Sequence, residues 1–228
     1  MIRLHIACEG QTEEVFVRTV IAPHLGSFHV FATATIVGTP KRRASAPLRK
    51  GGGGWQLWER DLRRLLDGPT PDLRVTTLFD LYGLPDGFPG RDGFAAITDT
   101  VRRCVQIERA LSDHFDDRRF LPYLQRHEFE ALVLGALPAL REMLDAREDV
   151  DGVDRLEVEI GNHSPEDIDD EAASAPSKRL KRHVPSYRKL VHGPTAVEAI
   201  GLVTLRRKCP KFDSWLSQLE SLNETPLW

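Results

Sequence analysis

Apolar residues in the first half of the chain alternate between strand-like runs and helix-like spacing. Runs rich in β-branched and aromatic residues predict strands at 2–8, 28–37, 73–79 and 119–125. Between these runs, apolar residues recur at helical intervals and predict helices at 12–24, 55–66 and 94–114. Alternating strands and helices are typical of a mainly parallel sheet that is covered on both faces. The pattern therefore predicts an α/β fold.

Strand signals fade after residue 136, and the apolar spacing becomes helical. Ser164, which Pro165 and two acids follow, predicts a helix N-cap. We therefore expect two domains, a sheet domain at 1–136 and a helical extension with a basic segment at 137–228. Within the extension, 149–154 is predicted to be a turn. The helices predicted there are 137–146, 185–190, 195–202 and 212–222.

The composition is that of an ordinary soluble protein. Of 228 residues, 41% are hydrophobic and 29% are charged. No apolar run approaches the length of a membrane span, and the N-terminus lacks the apolar core of a secretory signal, so we expect a cytoplasmic protein without a membrane partner. Three cysteines far apart fit neither a disulfide framework nor a zinc site, and we interpret them as reduced, mostly buried thiols.

The net charge of −3 conceals a separation of charge along the chain. Acids dominate 145–171, and cations dominate 178–211. A basic segment beside a carboxylate-bound metal is what a phosphodiester substrate requires, because cations position the phosphate backbone while the metal acts on one phosphate. A solvated helical face that pairs with the acidic stretch explains the same pattern equally well.

A second basic segment, around Lys41, Arg42 and Arg43, is followed by four successive glycines and predicts a mobile loop. The three cations of this segment are candidate nucleic-acid-binding residues. Arg179 and Lys189 in the later basic stretch are further candidates.

Two acids stand at predicted strand ends. Glu9 follows the first strand, and Asp80 ends the third. In an open α/β sheet the carboxyl ends of parallel strands face a crevice, and a helix N-terminus beside them offers free N–H groups. Thr12 is the predicted N-cap of that helix, with Glu13 in its first turn. Paired carboxylates with few imidazoles and no thiolates suit Mg²⁺ or Mn²⁺, so the sequence predicts such a metal at this edge.

A third polar cluster, His127, Glu128 and Glu130, follows the fourth predicted strand. If these residues are helical, His127 and Glu130 share a face, whereas Glu128 is turned away by about 100° per residue. The His-Glu-x-x-His pattern is absent because Ala131 follows Glu130, which disfavours zinc peptidase chemistry. His127 is explained equally well by a structural role, either as a helix cap or as a histidine packed beneath the sheet.

The chain resembles a family of bacterial proteins with a Toprim-like domain, which are often encoded beside an AAA or ABC-type ATPase in antiphage defence loci. The motifs that carry the resemblance cover nearly the whole chain in order. They are Glu9-Gly10-Gln-Thr12-Glu13, Asp80-Leu-Tyr82-Gly83-Leu84-Pro85, Phe88-Pro89-Gly90, Pro122-Tyr123, His127-Glu128-Phe129-Glu130, Ser164-Pro165-Glu166, Ala175-Pro176-Ser177-Lys178-Arg179, Tyr187 with Lys189, and Cys209-Pro210 with Phe212 and Trp215.

The resemblance implies a Toprim-like, doubly wound and mainly parallel sheet with a C-terminal helical extension, similar to nucleases of the overcoming-lysogenisation type. It implies that Glu9 acts in proton transfer or metal binding and that Asp80 holds Mg²⁺ or Mn²⁺. Tyr82 departs from the family pattern, because it stands where a second metal-binding aspartate is expected.

Several residues complete the site that the resemblance implies. Glu128, Glu130 or Glu13 would supply the carboxylate that Tyr82 lacks, with Glu128 among the catalytic residues. Lys178 would offset charge on the scissile phosphate. Gly10, Glu13, Tyr82 and His127 would shape the site.

Three functional hypotheses follow. The first is a metal-dependent nuclease, the effector subunit of an ATPase-linked defence system. The second is a catalytically degenerate module that binds nucleic acid or the ATPase. The third, primase-like nucleotidyl transfer, is weaker because no zinc-binding or primer-handling region accompanies the domain. Whether the substrate is DNA or RNA, and whether the chain forms a homodimer, stay open.

Overall fold

The computed structural model describes residues 1–38, 54–68, 70–168 and 174–224. The chain divides into two compact units, which are described separately below. The first comprises Met1–Gln125 with Ser217–Trp228, and the second comprises Arg126–Leu216. The domain boundary after residue 136 stays a prediction.

The first unit is built on a sheet in which every described strand pair is parallel. The strand order is β2-β1-β3-β4, and β5 also pairs with β3. All side chains of β3 are buried, as expected for a central strand with both faces covered. The predicted α/β class with a mainly parallel sheet is therefore confirmed. The strands are β1 (Ile2–Cys8), β2 (Val30–Ile36), β3 (Leu73–Asp80), β4 (Phe120–Leu121) and β5 (Leu124–Gln125).

Helices connect these strands on both faces of the sheet. The β1–β2 and β2–β3 connections run in opposite directions along the sheet, so right-handed crossovers place their helices on opposite faces. Trp58, Leu62 and Ile107, from the two later helices, pack in one buried cluster with Phe79 of β3. The helices of this unit are α1 (Gln11–Phe16), a π-helical turn (Val17–Ile21), α2 (Ala22–Gly26), α3 (Trp55–Leu66) and α4 (Thr100–Phe115).

The predicted helix at 12–24 is one helical run interrupted by the π turn. Pro23 is the second residue of α2, and its missing N–H cannot continue the helical ladder. The predicted N-cap at Thr12 is wrong, because Gly10 occupies the N-cap without a side-chain hydrogen bond and Thr12 is buried inside the helix.

The predicted strand at 119–125 is present as two short strands, because Pro122 cannot donate a ladder hydrogen bond. Thr77 of β3 bridges the interruption. Its Oγ1 donates to the Tyr123 carbonyl at 2.6 Å and accepts from the Tyr123 N–H at 2.8 Å. The chain therefore resumes pairing at the carboxyl end of β3, where Gln125 lies opposite Asp80.

The second unit is helical. A 3₁₀ turn at Pro165–Asp167 is capped by Ser164, whose Oγ accepts from the Glu166 N–H, as the sequence predicts. Its helices are α5 (Glu130–Gly135), α6 (Leu137–Arg141), α7 (Arg147–Ile160), α8 (Pro176–His183), α9 (Lys189–Ile200), α10 (Leu202–Lys208) and the beginning of α11 (Pro210–Glu220).

The turn predicted at 149–154 is wrong, because α7 runs through it. Glycine is common in turns, but Gly152 is required here by packing within a helix. A Cβ built at Gly152 would lie 1.8 Å from the carbonyl oxygen of His183, at the end of α8. The glycine thus lets α8 approach the backbone of α7 closely.

Cys8, Cys104 and Cys209 are free and buried, as predicted. None of the helices within the described residues is long and apolar enough to cross a membrane.

Candidate functional site

The structure brings Glu9 and Asp80 together at the carboxyl edge of the sheet. Because β1 and β3 are adjacent and parallel, with Cys8 opposite Leu78, both chains leave the sheet at the same edge. The backbone N–H of Asp80 donates to Oε1 of Glu9 at 2.6 Å. Asp80 is 7% exposed and Glu9 is half-buried. The two acids predicted from strand ends are therefore neighbours.

Gly83 leaves space for the second oxygen of the Glu9 carboxylate. The chain turns after β3, and the Gly83 N–H donates to the Asp80 carbonyl at 3.0 Å. A Cβ built at Gly83 would lie 2.3 Å from Oε2 of Glu9, so only glycine leaves room for the carboxylate in this position. Sequence reasoning assigned no role to Gly83. The available signal was a glycine three residues after an acid at a strand end.

Gly10 and Glu13 lie beside this pair. Glu13 is buried in the first turn of α1, where the helix dipole favours negative charge. A Cβ at Gly10 would lie 3.3 Å from Oε2 of Glu13, which is closer than most such contacts. The predicted residues Glu9, Gly10, Glu13 and Asp80 therefore meet at one edge of the first unit.

The buried thiol of Cys8 lies close enough to the carboxylates of this edge to be affected by their charge. Burial raises the pKa of Cys8 well above its usual value, and the negative charges of Glu13, Glu14 and Glu9 raise it further. The charged groups that act on this thiol are all carboxylates. Such a concentration of negative charge favours a bound cation.

The donor set suits one class of metal. Among the described residues, no group of three or more His, Cys, Asp or Glu side chains is placed to hold a metal ion, so the paired acids are a site of two carboxylates. Mg²⁺ is usually bound through one or two carboxylates and keeps several waters, so Glu9 and Asp80 fit Mg²⁺ or Mn²⁺ better than zinc. Tyr82, in the turn after β3, is 39% exposed and adds no carboxylate.

Glu128 and Glu130 belong to the second unit, where each has a local partner. Oε1 of Glu128 accepts from the Ser177 N–H at 2.8 Å, at the first turn of α8. Glu130 is fully buried, and its Oε2 lies 3.1 Å from Nζ of Lys189. Burial raises the pKa of Glu130, while the charge of Lys189 acts in the opposite direction.

His127 is also buried, and its Nε2 lies 2.8 Å from the carbonyl oxygen of Glu166. Its φ of +62° is not helical, and α5 begins only at Glu130. The predicted sharing of a helical face by His127 and Glu130 is therefore wrong. Sequence reasoning also missed that Glu166 is fully buried, and that its carboxylate accepts from the N–H groups of Lys211 and Phe212.

The candidate nucleic-acid-binding cations have different surroundings. Lys178 is exposed on α8. Arg179 forms an ion pair with Glu159, and its Nε donates to the Ser174 carbonyl at 2.8 Å. Two further exposed cations on α8, Lys181 and Arg182, were not singled out from the sequence. The predicted loop with Lys41, Arg42 and Arg43 lies outside the described residues.

The model of a family described as "Domain of unknown function (DUF4276)" matches residues 8–220. No curated protein sequence matches the chain.

Two solved structures are similar to this chain. The C-terminal region of the Burkholderia pseudomallei OLD protein is 13% identical, covers 96% of this chain and 99% of its own, and has a TM-score of 0.45. The C-terminal region of the Xanthomonas campestris pv. campestris OLD protein is 14% identical, with 98% and 97% covered and a TM-score of 0.43.

Proposed function

We propose a function for this chain, which belongs to the DUF4276 family, from the geometry of its acidic sheet edge. In this proposal the chain is a metal-dependent nuclease that hydrolyses phosphodiester bonds of DNA or RNA. The observation that carries the proposal is the pairing of Glu9 with Asp80 at the carboxyl ends of two adjacent parallel strands.

Glu9 and Asp80 would hold Mg²⁺ or Mn²⁺ in this site. When bound, such a metal polarises a phosphoryl oxygen and lowers the pKa of a bound water. The Asp80 N–H and the space left by Gly83 fix the Glu9 carboxylate before any ligand arrives, which lowers the reorganisation cost of binding. Glu13, buried beside Gly10, adds negative charge behind the pair.

The second unit would contribute cations to the substrate. Lys178, Lys181 and Arg182 are exposed on one helix, and residues three or four apart share a helical face. Cations arranged in this way contact successive phosphates of a nucleic-acid backbone. The proposal keeps three further assignments. Arg179 and Lys189 would bind nucleic acid, and Lys178 would offset charge on the phosphate. Glu128 and Glu130 would be further catalytic or metal-binding carboxylates.

The proposal extends to partners through the family resemblance given above. The nuclease would be the effector of an antiphage system and would act with an AAA or ABC-type ATPase. A homodimer is compatible with this role.

A second candidate function is a binding module without turnover. Three observations favour it. Tyr82 occupies the position where a second aspartate is expected, Glu130 is paired with Lys189, and Glu128 is bonded to the N-terminus of α8. In this alternative the same cations bind nucleic acid or the ATPase, and the sheet edge performs no chemistry.

The two functions are separated by single substitutions at the paired acids. Mn²⁺ affinity and cleavage of a mixed panel of DNA and RNA substrates are measured for the wild type, Glu9→Gln and Asp80→Asn. The matched controls are Glu142→Gln and Asp113→Asn, because the side chains of Glu142 and Asp113 are 80% and 74% exposed. If the proposal is correct, either site substitution weakens Mn²⁺ binding at least tenfold and lowers cleavage by about 100-fold or more, because preorganised charge is lost.

The controls should leave both measurements unchanged. Mn²⁺ binding that survives both site substitutions would contradict the metal site. Cleavage that is absent in the wild type, with and without an ATPase partner, would favour the binding module.

A further inference from the structure

A pocket lies within the helical second unit, to which all of its described lining residues belong. It has a volume of about 430 Å³, which is within the usual range for small-molecule sites. The C-terminal ends of α7 and α10 form its walls, and the loop at 161–164 closes one side.

The base of the pocket is apolar. Leu134, Leu137 and Pro165 line it and are buried among the helices. Ile160, at the end of α7, extends the same apolar wall. An apolar base of this kind suits a flat ring, because the ring exchanges contact with water for dispersion contacts with the aliphatic side chains.

The rim of the pocket is polar and carries an excess of positive charge. Arg207 and Lys208, both exposed at the end of α10, line it together with Asn162 and His163. Nε of Arg207 donates to the backbone carbonyl one turn earlier in α10 at 3.3 Å, and the rest of its guanidinium faces the rim. Both side chains are exposed and line the pocket, and an arginine beside a lysine suits a phosphate. Among the described lining residues, Glu157 alone carries a carboxylate, which can accept from hydroxyl or amino groups of a ligand.

The wall between base and rim is fixed by a hydrogen bond. Oγ of Ser164 donates to the carbonyl oxygen of Lys208 at 2.9 Å, which joins the loop to the end of α10. The same Oγ accepts from the Glu166 N–H at 3.3 Å. The pocket is therefore preformed, and binding there does not require the loop to be ordered first.

We propose that this pocket binds a nucleoside monophosphate, with the nucleobase ring against the apolar base of the pocket and the phosphate at Arg207 and Lys208. The ligand has two sources with the same chemistry, a free nucleotide or the 5′-phosphorylated end of a nucleic-acid strand. The inference goes beyond the proposed nuclease activity and does not depend on a metal.

Isothermal titration calorimetry in EDTA tests the proposal, with AMP, adenosine and inorganic phosphate as probes. We expect AMP to bind at least tenfold more tightly than either fragment. The double variant Arg207→Gln/Lys208→Gln should weaken AMP binding about tenfold or more. The control Arg102→Gln/Arg109→Gln removes the same charge from exposed positions on α4 and should bind AMP as the wild type does. Thermal unfolding of both variants confirms that they fold.

Oligonucleotides with a 5′-phosphate or a 5′-hydroxyl distinguish the two sources. Competition with AMP by the 5′-phosphorylated strand alone supports a strand end, and competition by neither strand supports a free nucleotide. The proposal would be overturned if the control variant lost as much AMP affinity as the Arg207/Lys208 variant, or if inorganic phosphate bound as tightly as AMP. Because the titration contains no metal, the Glu9→Gln variant should bind AMP normally, so failure of the nuclease proposal would not be mistaken for failure of this one.

Discussion

At the residue scale, the position of a carboxylate depends on neighbours that are distant in sequence. Glu9 and Asp80 could be predicted as a pair because each ends a strand and parallel strands end at one edge. The contacts of Glu128 and Glu130 could not, since Ser177 and Lys189 are 49 and 59 residues away and no local pattern links them. The glycine after Asp80 was a visible signal, but its contact with Glu9 joins two residues distant in sequence and could not be predicted.

Substitution of Gly83 by alanine should separate site geometry from stability. The new Cβ would meet the end of the Glu9 side chain, which is flexible, so the free energy of unfolding should change by less than about 1 kcal/mol. The displaced carboxylate should nevertheless weaken Mn²⁺ affinity by about tenfold, which calorimetry measures.

Gly26→Ala is the matched control, because a Cβ there meets nothing within 4 Å. It should leave Mn²⁺ affinity unchanged. Unchanged affinity in Gly83→Ala would show that the contact between Gly83 and Glu9 does not position a metal ligand.

At the scale of elements, prediction succeeded where local pattern and tertiary environment agree. Helix α3 has the predicted bounds, Trp55–Leu66, because its apolar face follows helical spacing and packs on the sheet. Prediction failed at 149–154, where Gly152 and several acids are typical of a turn. There the backbone of α8 determines the outcome, because its close approach to α7 requires a glycine within a helix.

Capping of α11 by Glu166 gives an element-scale test. Its buried carboxylate accepts from two N–H groups in the first turn of α11, at 2.8 and 3.1 Å. Both oxygens of a carboxyl group can accept, whereas a glutamine places its NH₂ donor against one of the two N–H groups, so Glu166→Gln should lower the free energy of unfolding by about 1–3 kcal/mol near pH 5. Urea unfolding measures the difference.

The effect of Glu166→Gln should depend on pH in a defined direction. Burial raises the pKa of Glu166, although hydrogen bonds from Lys211 and Phe212 act against this shift. An acid whose folded pKa lies above its unfolded value loses its stabilising contribution as the pH rises through the folded pKa. The stability difference between wild type and variant should therefore narrow between pH 5 and pH 8.

The exposed control Glu142→Gln should show no such trend. A difference that widens with pH would mean that the ionised carboxylate is the better cap and that burial does not dominate.

At the scale of the whole molecule, the distribution of charge matters more than its sum. A net charge of −3 gives no general attraction to nucleic acid. Binding must therefore rely on local cations, and the sequence located the basic stretch without showing which of its residues are exposed. The structure exposes Lys178, Lys181 and Arg182 on α8, whereas Arg179 is paired with Glu159.

The salt dependence of nucleic-acid binding tests whether these three cations contact phosphates. For duplex DNA, each phosphate contact adds about 0.9 to the negative slope of log Kobs against log salt concentration. The triple variant Lys178→Gln/Lys181→Gln/Arg182→Gln should therefore make the slope less negative by about 2–3, as measured by fluorescence anisotropy. The variant Arg102→Gln/Arg109→Gln/Arg147→Gln removes the same charge from exposed sites elsewhere and should keep the wild-type slope. An equal change in both variants would mean that net charge alone drives binding, because loss of specific contacts affects only the α8 variant.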